Sequence, residues 1–489
     1  MKFLPRRFAA FAVTITLLVS IGTSANAAPQ KKKKKSNTPP AVKLETVTPP
    51  AASPQPDPSQ SPARKPADSA EPLPAGPLPA EPLPAEKDPQ REAWRINVEP
   101  YAIFGSGRPG KGLADFDKPD GVGFTPNGWL LATDAKNHRV QIWDVKTKAR
   151  LGEFGHGIFG GEIVDIAVAP DGTVLVTDQL LNLAYAFAPP AAGAKTEKGK
   201  SGAYDYQFKG TRFGERGFDK LGGIVIDSRG RIYGVDAHLN EIRRYTADGA
   251  VDPQWKFEKA GAGSDTYLHG CEGIAIDEST GQLFVASEKD AIIQVFDWET
   301  GAYKGKLIGA KVNATGKPEG TRIFSGSVEG LAIANNHLFA VDESVGHIQV
   351  FDLAQANVFN NDLAGYKRGQ PGGYRGFFGH SPQVDFEDKT NKALQQQVKD
   401  GAVIPGQANP PGYFCSPDSI ASYTDKAGGE TYIAIADQCN YRLAVYRWSD
   451  INRALGAMIV AQAPVQAPAA KETAVKSTKA AHKKGKKKP

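Results

Sequence analysis

The 489-residue sequence predicts an all-β fold: a six-bladed β-propeller closed by an N-terminal outer strand, with disordered Pro/Ala/Lys-rich tails. Three observations predict it. A unit of short apolar strand, turn, second strand ending in an acid, polar loop and third strand recurs six times between residues 95 and 456. Helical periodicity is nearly absent there, and the segments outside it are too polar and proline-rich to bury a core. Units that cannot cover their own apolar faces are satisfied by radial packing, which closes a ring.

The copies start near Asp120, Asp165, Gly222, Glu272, Glu329 and Asp418. Their strands are period-2 or fully apolar, and their turns carry Gly, Asp or Asn. A blade needs a fourth, outer strand. Residues 149–154 and 301–307 supply it after the first and fourth copies, but nothing suitable follows Trp448 in the sixth. An unused strand, residues 100–105, lies ahead of the first copy, so it is expected to complete the last blade and remove the exposed sheet edge.

The ends read differently. Residues 1–27 combine Lys2, Arg6 and Arg7, an apolar run from Phe8 to Ile21 and the small-residue site Ala25-Asn26-Ala27, the pattern of a cleaved signal peptide. The mature chain is therefore expected to be exported, periplasmic or extracellular, and no other stretch is long and apolar enough for a transmembrane helix. Residues 28–94 form a Pro/Lys-rich linker with a near repeat from Glu71 to Ala85, and 457–489 an Ala/Lys-rich tail. Residues 95–456 are one domain, expected to be monomeric.

Charge divides along the same lines. Residues 1–94 hold 13 Lys+Arg against 8 acids, residues 457–489 hold 8 against 1, and the folded region holds 38 against 44. The basicity sits in the tails, which argues against specific nucleic-acid binding. The tails can still touch anionic surfaces.

Strand direction alternates within a blade, so the start of the inner strand and the end of the second open onto one face. Two columns of acids result. One contains Asp120, Asp165, Glu272, Glu329 and Asp418, with Gly222 the exception; the other contains Asp134, Asp178, Asp236, Glu288, Asp342 and Asp437, with Glu343 beside Asp342. Carboxylates crowded at a channel mouth repel one another unless something compensates them, and oxygen ligands favour calcium. For the second column a turn-capping role competes, because Asp134 and Asp437 are each followed three residues later by Asn. For the first column the cation role and a structural one stay level. His156, His269 and His380 precede inner strands on the same face, which leaves a three-imidazole zinc site as a further alternative.

The regular copies resemble NHL-type propeller repeats, and blades four to six resemble the β-propeller phytases. The likeness rests on Cys271-Glu-Gly-Ile-Ala through Ser287-Glu288, on Val328-Glu-Gly-Leu-Ala, and on Pro417-Asp-Ser-Ile with Ile435-Ala-Asp437. It implies a calcium site built from Glu272, Glu288, Glu329, Glu343 and Asp418, with Glu272, Glu329 and Asp418 in the catalytic role. There calcium would neutralise a phosphate ester and activate water for in-line attack. The early blades depart from the phytase pattern: the first copy reads Lys118-Pro-Asp120, with one acid, and the family's basic phosphate clamp has no clear counterpart. Lys136, Arg139 and Lys289 are the candidates to stand in for it, with Asp120 and Asp165 also at the ligand. Two functions follow as expectations. One is a calcium-dependent phosphomonoesterase acting on a small phosphate ester. The other is a non-catalytic NHL-type propeller that holds a protein, peptide or glycan partner in the cell envelope.

Cys415 lies three residues before Asp418, and Cys439 two residues after Asp437. The two strands are antiparallel neighbours, so both thiols emerge on one face, close enough for a disulfide. Cys271 is left unpaired and is expected to be buried.

Overall fold

The computed structural model describes residues 89–190, 206–213, 218–258, 268–309, 323–324, 326–355, 359–360 and 373–462. The expected signal peptide, nearly all of the expected linker and most of the tail lie outside them. Six sheets form a ring of blades, each led by an inner strand: Pro119–Phe124, Ile163–Val168, Leu221–Ile226, Cys271–Asp277, Val328–Ala334 and Pro417–Thr424. Second and third strands follow as antiparallel neighbours in sequence order. Among the described residues the third blade has three strands, and the fourth gains a short parallel fifth one at Phe359–Asn360.

The ring closes as the missing strand predicts. Ala102–Phe104 pairs antiparallel with Arg442–Arg447 of the sixth blade, aligning Ala102 with Val445 and Phe104 with Leu443. The last sheet is thus zipped with the first segment of the domain, which covers the outer edge of Arg442–Arg447. Six apolar clusters fill the wedges between adjacent blades. One packs Phe284, Ile293 and Phe351 between blades four and five; another packs Phe339, Ile433 and Tyr446 between five and six.

Regular structure continues on both sides of residues 95–456. Residues 89–94, assigned to the linker from composition, include a short helix, Pro89–Glu92, and the buried Arg91 and Trp94. A helix at Trp448–Gln462 runs past residue 456 and buries Ile451 and Leu455 against the last two blades. Helix Lys392–Lys399, capped by Asn391, sits in the insertion before the sixth blade. Among the described residues no helix is long and apolar enough to cross a membrane. Cys415 and Cys439 form a disulfide with Cα atoms 5.2 Å apart, and Cys271 is free and buried.

Every inner strand carries the same irregularity. Its first residue pairs with the last residue of the second strand, two residues fall out of register, and pairing resumes at the fourth. A bulge repeated six times bends each strand where the blades converge. The third position is glycine in four blades because the next inner strand is too close. A Cβ on Gly273 would lie 2.0 Å from the Glu329 carbonyl oxygen, and one on Gly223 2.4 Å from that of Glu272.

Candidate active site at the channel mouth

The bulge decides which acids face the axis. Counting from the first paired residue, the second position of the inner strand is Asp120, Val164, Gly222, Glu272, Glu329 and Asp418 around the ring. Asp165 is therefore one residue out of the column assigned from sequence and takes the place that is glycine elsewhere. Its oxygens accept the backbone N–H groups of Ile166 and of Ile224 in the next blade, both at 2.8 Å. It lines the channel while tying two blades together. Ser419 does the same in the sixth blade, accepting from Val122 N–H at 3.3 Å.

The second column splits in the same way. Asp134, Asp178, Asp236, Asp342 and Asp437 pair with the first residue of the inner strand and are fully buried. Ser287 holds that place in the fourth blade, so Glu288 stands one residue further on, level with Glu343. The buried aspartates are scaffold. Asp134 accepts from the backbone N–H of Asp117 (2.7 Å), from Asn137 (2.9 Å), from Arg139 Nε (2.7 Å) and from Gln141 (3.0 Å). Asp437 accepts from Cys415 N–H (2.8 Å), Asn440 (2.9 Å) and Arg442 Nε (2.7 Å). These two tie the loop ahead of the inner strand to the Asn three residues on and do not cap a backbone N–H of the turn that follows; Asp178 and Asp236 do cap it, accepting from Leu181 N–H at 3.0 Å and Leu239 N–H at 2.8 Å.

What remains converges on an axial cavity of about 530 Å³. Asp120, Glu272, Glu288, Glu329, Glu343 and Asp418 line its mouth with Lys118, Lys220, Gln179 and Gln438, while Val168, Ile276 and Ile333 line the far end. Neighbouring carboxylates share donors across blade boundaries. Ser327 Oγ donates to Glu329 (2.8 Å) or Glu288 (3.3 Å), and Gln438 Nε2 reaches Asp418 (3.2 Å) and Asp120 (3.4 Å). Ser416 Oγ donates to Glu343 at 2.7 Å. Gly222, the exception among the acids, leaves room for its neighbour: a Cβ there would lie 2.6 Å from Glu272 Oε2.

Burial pushes the carboxyls of Asp120, Glu272, Glu329, Glu343 and Asp418 above their ordinary range. Repulsion adds to it. Glu272 and Glu343 help raise Glu329 well above that range, and Asp120 and Glu329 do so for Asp418. Burial also raises Asp165 to about 7.

The basic residues fall elsewhere than composition suggested. Arg139 is buried in the first blade against Asp134 and Glu153 and does not line the cavity. Lys136, paired with Asp117 at 3.5 Å, and Lys289 are exposed and outside the cavity lining. Lys118 and Lys220, immediately before the first and third inner strands, are the lysines that line it. Lys118 Nζ lies 3.2 Å from Asp120 and also contacts Glu162; Lys220 Nζ lies 2.6 Å from Glu272. Burial works against the Lys118 ammonium, but Asp120 and Glu162 outweigh it and hold its pKa above the ordinary value. Their repeat position, shared with Ser327 and Ser416, is the signal that could have found all four. His156, His269 and His380 do not converge: the first pairs with Glu153, the second lies 3.6 Å from Asp290, and the third stacks on Tyr413.

The donor set at the mouth is all oxygen on blades four to six, which suits a hard divalent cation. Among the described residues no three mouth carboxylates bring oxygens within 4.8 Å of one another; the one such group, Asp385 with Cys415 and Cys439, has its sulfurs in the disulfide. Cation binding would therefore draw the carboxylates inward from Ser327 and Gln438.

No family model and no curated protein matches the chain. Solved structures similar to it include a gluconolactonase from Xanthomonas campestris (12% identity, 72% of this chain and 97% of that one, TM-score 0.40). A streptogramin B lyase is similar at 13% identity over 71% and 97% of the chains with TM-score 0.41. A chain of the nidogen/laminin complex is similar at 16% identity over 49% and 77% with TM-score 0.34. Likeness at this level says nothing of function, and the assignment of six blades rests on the strand order itself.

Proposed function

We propose that this is an exported propeller that binds calcium at the channel mouth through Glu272, Glu288, Glu329, Glu343 and Asp418, and there hydrolyses a small phosphate monoester. The observation that carries the reading is the convergence of carboxylates from three successive blades, of which Glu272, Glu329, Glu343 and Asp418 are pushed above their ordinary range by burial, with Ser327 within reach of both Glu288 and Glu329. Repulsion of that kind is relieved by a cation. Bound calcium supplies charge neutralisation for phosphate and a more acidic water. The chain's own residues do the rest. Lys118 and Lys220 place positive charge on the opposite side of the mouth, where an anionic ester is oriented. Glu329, crowded by Glu272, Glu343 and Glu288, is suited to hold and return a proton. The buried disulfide agrees with an oxidising compartment.

One observation favours the second reading, a non-catalytic propeller that holds an envelope protein, peptide or glycan: both mouth lysines are already paired with acids, which leaves a weak basic clamp. Phosphate release from phytate and from p-nitrophenyl phosphate, measured with calcium and with chelator, separates the two. The enzyme reading expects calcium-dependent release lost in Glu272→Gln/Glu329→Gln. Calcium binding without release would leave the binding reading, and metal-free protein after dialysis against calcium would remove the cation from both.

A further inference from the structure

Blades one and six place an arginine opposite the buried aspartate at the junction of second and third strands, and blade five does not. In the first blade Arg139, opposite Asp134 in the register, donates to it, and Gln141 donates to the same oxygen. Both side chains also donate to one carbonyl, that of Asp115, at 2.8 and 2.7 Å. In the sixth blade Arg442 stands opposite Asp437 in the same way. In the fifth blade the residue opposite Asp342 is His347. That ring is fully buried and stacks on Phe377 with centroids 4.2 Å apart, and among the described residues neither of its nitrogens has a hydrogen-bond partner.

The guanidinium comes instead from 251 residues away. Arg91 Nη2 donates to Asp342 Oδ2 at 2.9 Å, and Gln349 donates to that oxygen at 3.4 Å. Arg91 and Gln349 also share the Ile323 carbonyl, as Arg139 and Gln141 share that of Asp115. The segment is held by backbone as well. Ile96 N–H donates to the Phe377 carbonyl at 2.6 Å and Phe377 N–H to that of Trp94 at 3.2 Å, while the Arg95 guanidinium lies 4.8 Å from the Phe377 ring centre. The residue after Asp342 is Glu343, whose N–H is held by the Ser327 carbonyl at the mouth.

We propose that residues 89–96 are a strap whose Arg91 replaces the arginine missing from the fifth blade, so that the position of Glu343 at the mouth depends on a segment outside the ring. The proposal leans on the cation site only in treating Glu343 as a ligand. Its test is therefore made without calcium, on the full chain. Arg91→Ala leaves Asp342 without this partner and is expected to lower the thermal midpoint by about 5 °C. It should also speed amide exchange in residues 342–347. His347→Arg alone is expected to lower the midpoint too, because it forces another guanidinium beside Arg91 and Arg95. The double variant should be more stable than either single one, since the new arginine then occupies the vacated place. Should Arg91→Ala be insoluble, recovery of soluble protein in the double variant reads the same coupling. Losses that simply add in the double variant, or exchange in 342–347 unchanged by Arg91→Ala, would overturn the strap.

Discussion

The mouth of the channel has two unlike arcs built on one repeat. On blades four to six the positions beside the buried scaffold residue, Ser287 in the fourth blade and an aspartate in the other two, carry Glu272, Glu288, Glu329, Glu343 and Asp418, with Ser327 and Ser416 as donors. On blades two and three the same positions carry Val164, Gln179, Gly222 and Ala237, with Lys220 ahead of the strand. Asp178 and Asp236 of the second arc are buried like Asp342 and Asp437 of the first. A buried aspartate is thus common to both arcs, and the residues one step away from it differ. Scaffold and mouth-lining residues occupy adjacent positions, which lets the composition of one arc change without disturbing the ring.

The sharpest way to break this division is to exchange the two kinds of acid. Asp437→Ala strands the buried Arg442 and is expected to cost about 3–5 kcal/mol, enough to unfold or precipitate the protein. Glu288→Gln, two blades away at the mouth, should leave the thermal midpoint in chelator unchanged or slightly raised. Equal losses for the two would mean that the mouth acids are scaffold as well. Next in size is the calcium response. Calcium at about 100 times its dissociation constant stabilises a native state by roughly 2.7 kcal/mol, and Glu272→Gln/Glu329→Gln should abolish most of that shift. An unchanged response would place the cation away from the acidic arc.

How much of this the residues disclose depends on the bulge. The six copies, the closing strand at Ala102–Phe104 and the Cys415–Cys439 bond follow from strand counting and antiparallel geometry, and all are present. The Asn three residues after Asp134 and Asp437 does bond each carboxylate, but neither aspartate caps a backbone N–H of its turn as the spacing suggests. Asp165 and Glu288 were each placed one residue out, because period-2 alternation fails where two residues of each inner strand leave the ladder. Arg139 looked like a ligand because its loop faces the mouth, yet its side chain folds back on Asp134. Arg91 gave no signal at all: it lies among proline-rich linker sequence, and its partner is 251 residues away.

The arcs should also differ in their response to pH. A carboxyl whose pKa is higher in the fold than in the unfolded chain binds more protons in the native state between those two values, so stability falls as pH rises through the interval. For Asp165 the interval runs from roughly 4 in the unfolded chain to about 7 in the fold. Glu329 and Asp418 act in the same direction. In chelator the thermal midpoint should therefore decline between about pH 5 and 7.5, and Asp165→Asn should flatten part of the slope even though it loses a backbone contact. Calcium should remove the acidic arc's share of the decline and leave that of Asp165. A midpoint that rises over this range would contradict the crowding of unprotonated carboxylates.

The smallest effect tests whether Lys220 belongs to the cation or to the anion. Its ammonium lies 2.6 Å from Glu272 and both groups keep some exposure, so the pair is worth about 1 kcal/mol or less. Without calcium it relieves part of the repulsion at the mouth, and with calcium it competes for Glu272 and repels the ion. Lys220→Gln should therefore tighten calcium binding by about two- to five-fold. The same substitution removes positive charge from the side of the mouth where an anion would sit, so inorganic phosphate should bind the calcium-loaded protein more weakly by a similar factor. Calorimetric titration of each ligand reads both changes on one variant. Opposite signs separate the two arcs in function as well as in composition, whereas weaker calcium binding in Lys220→Gln would mean that the lysine holds Glu272 in place for the ion and that the mouth works as a single unit.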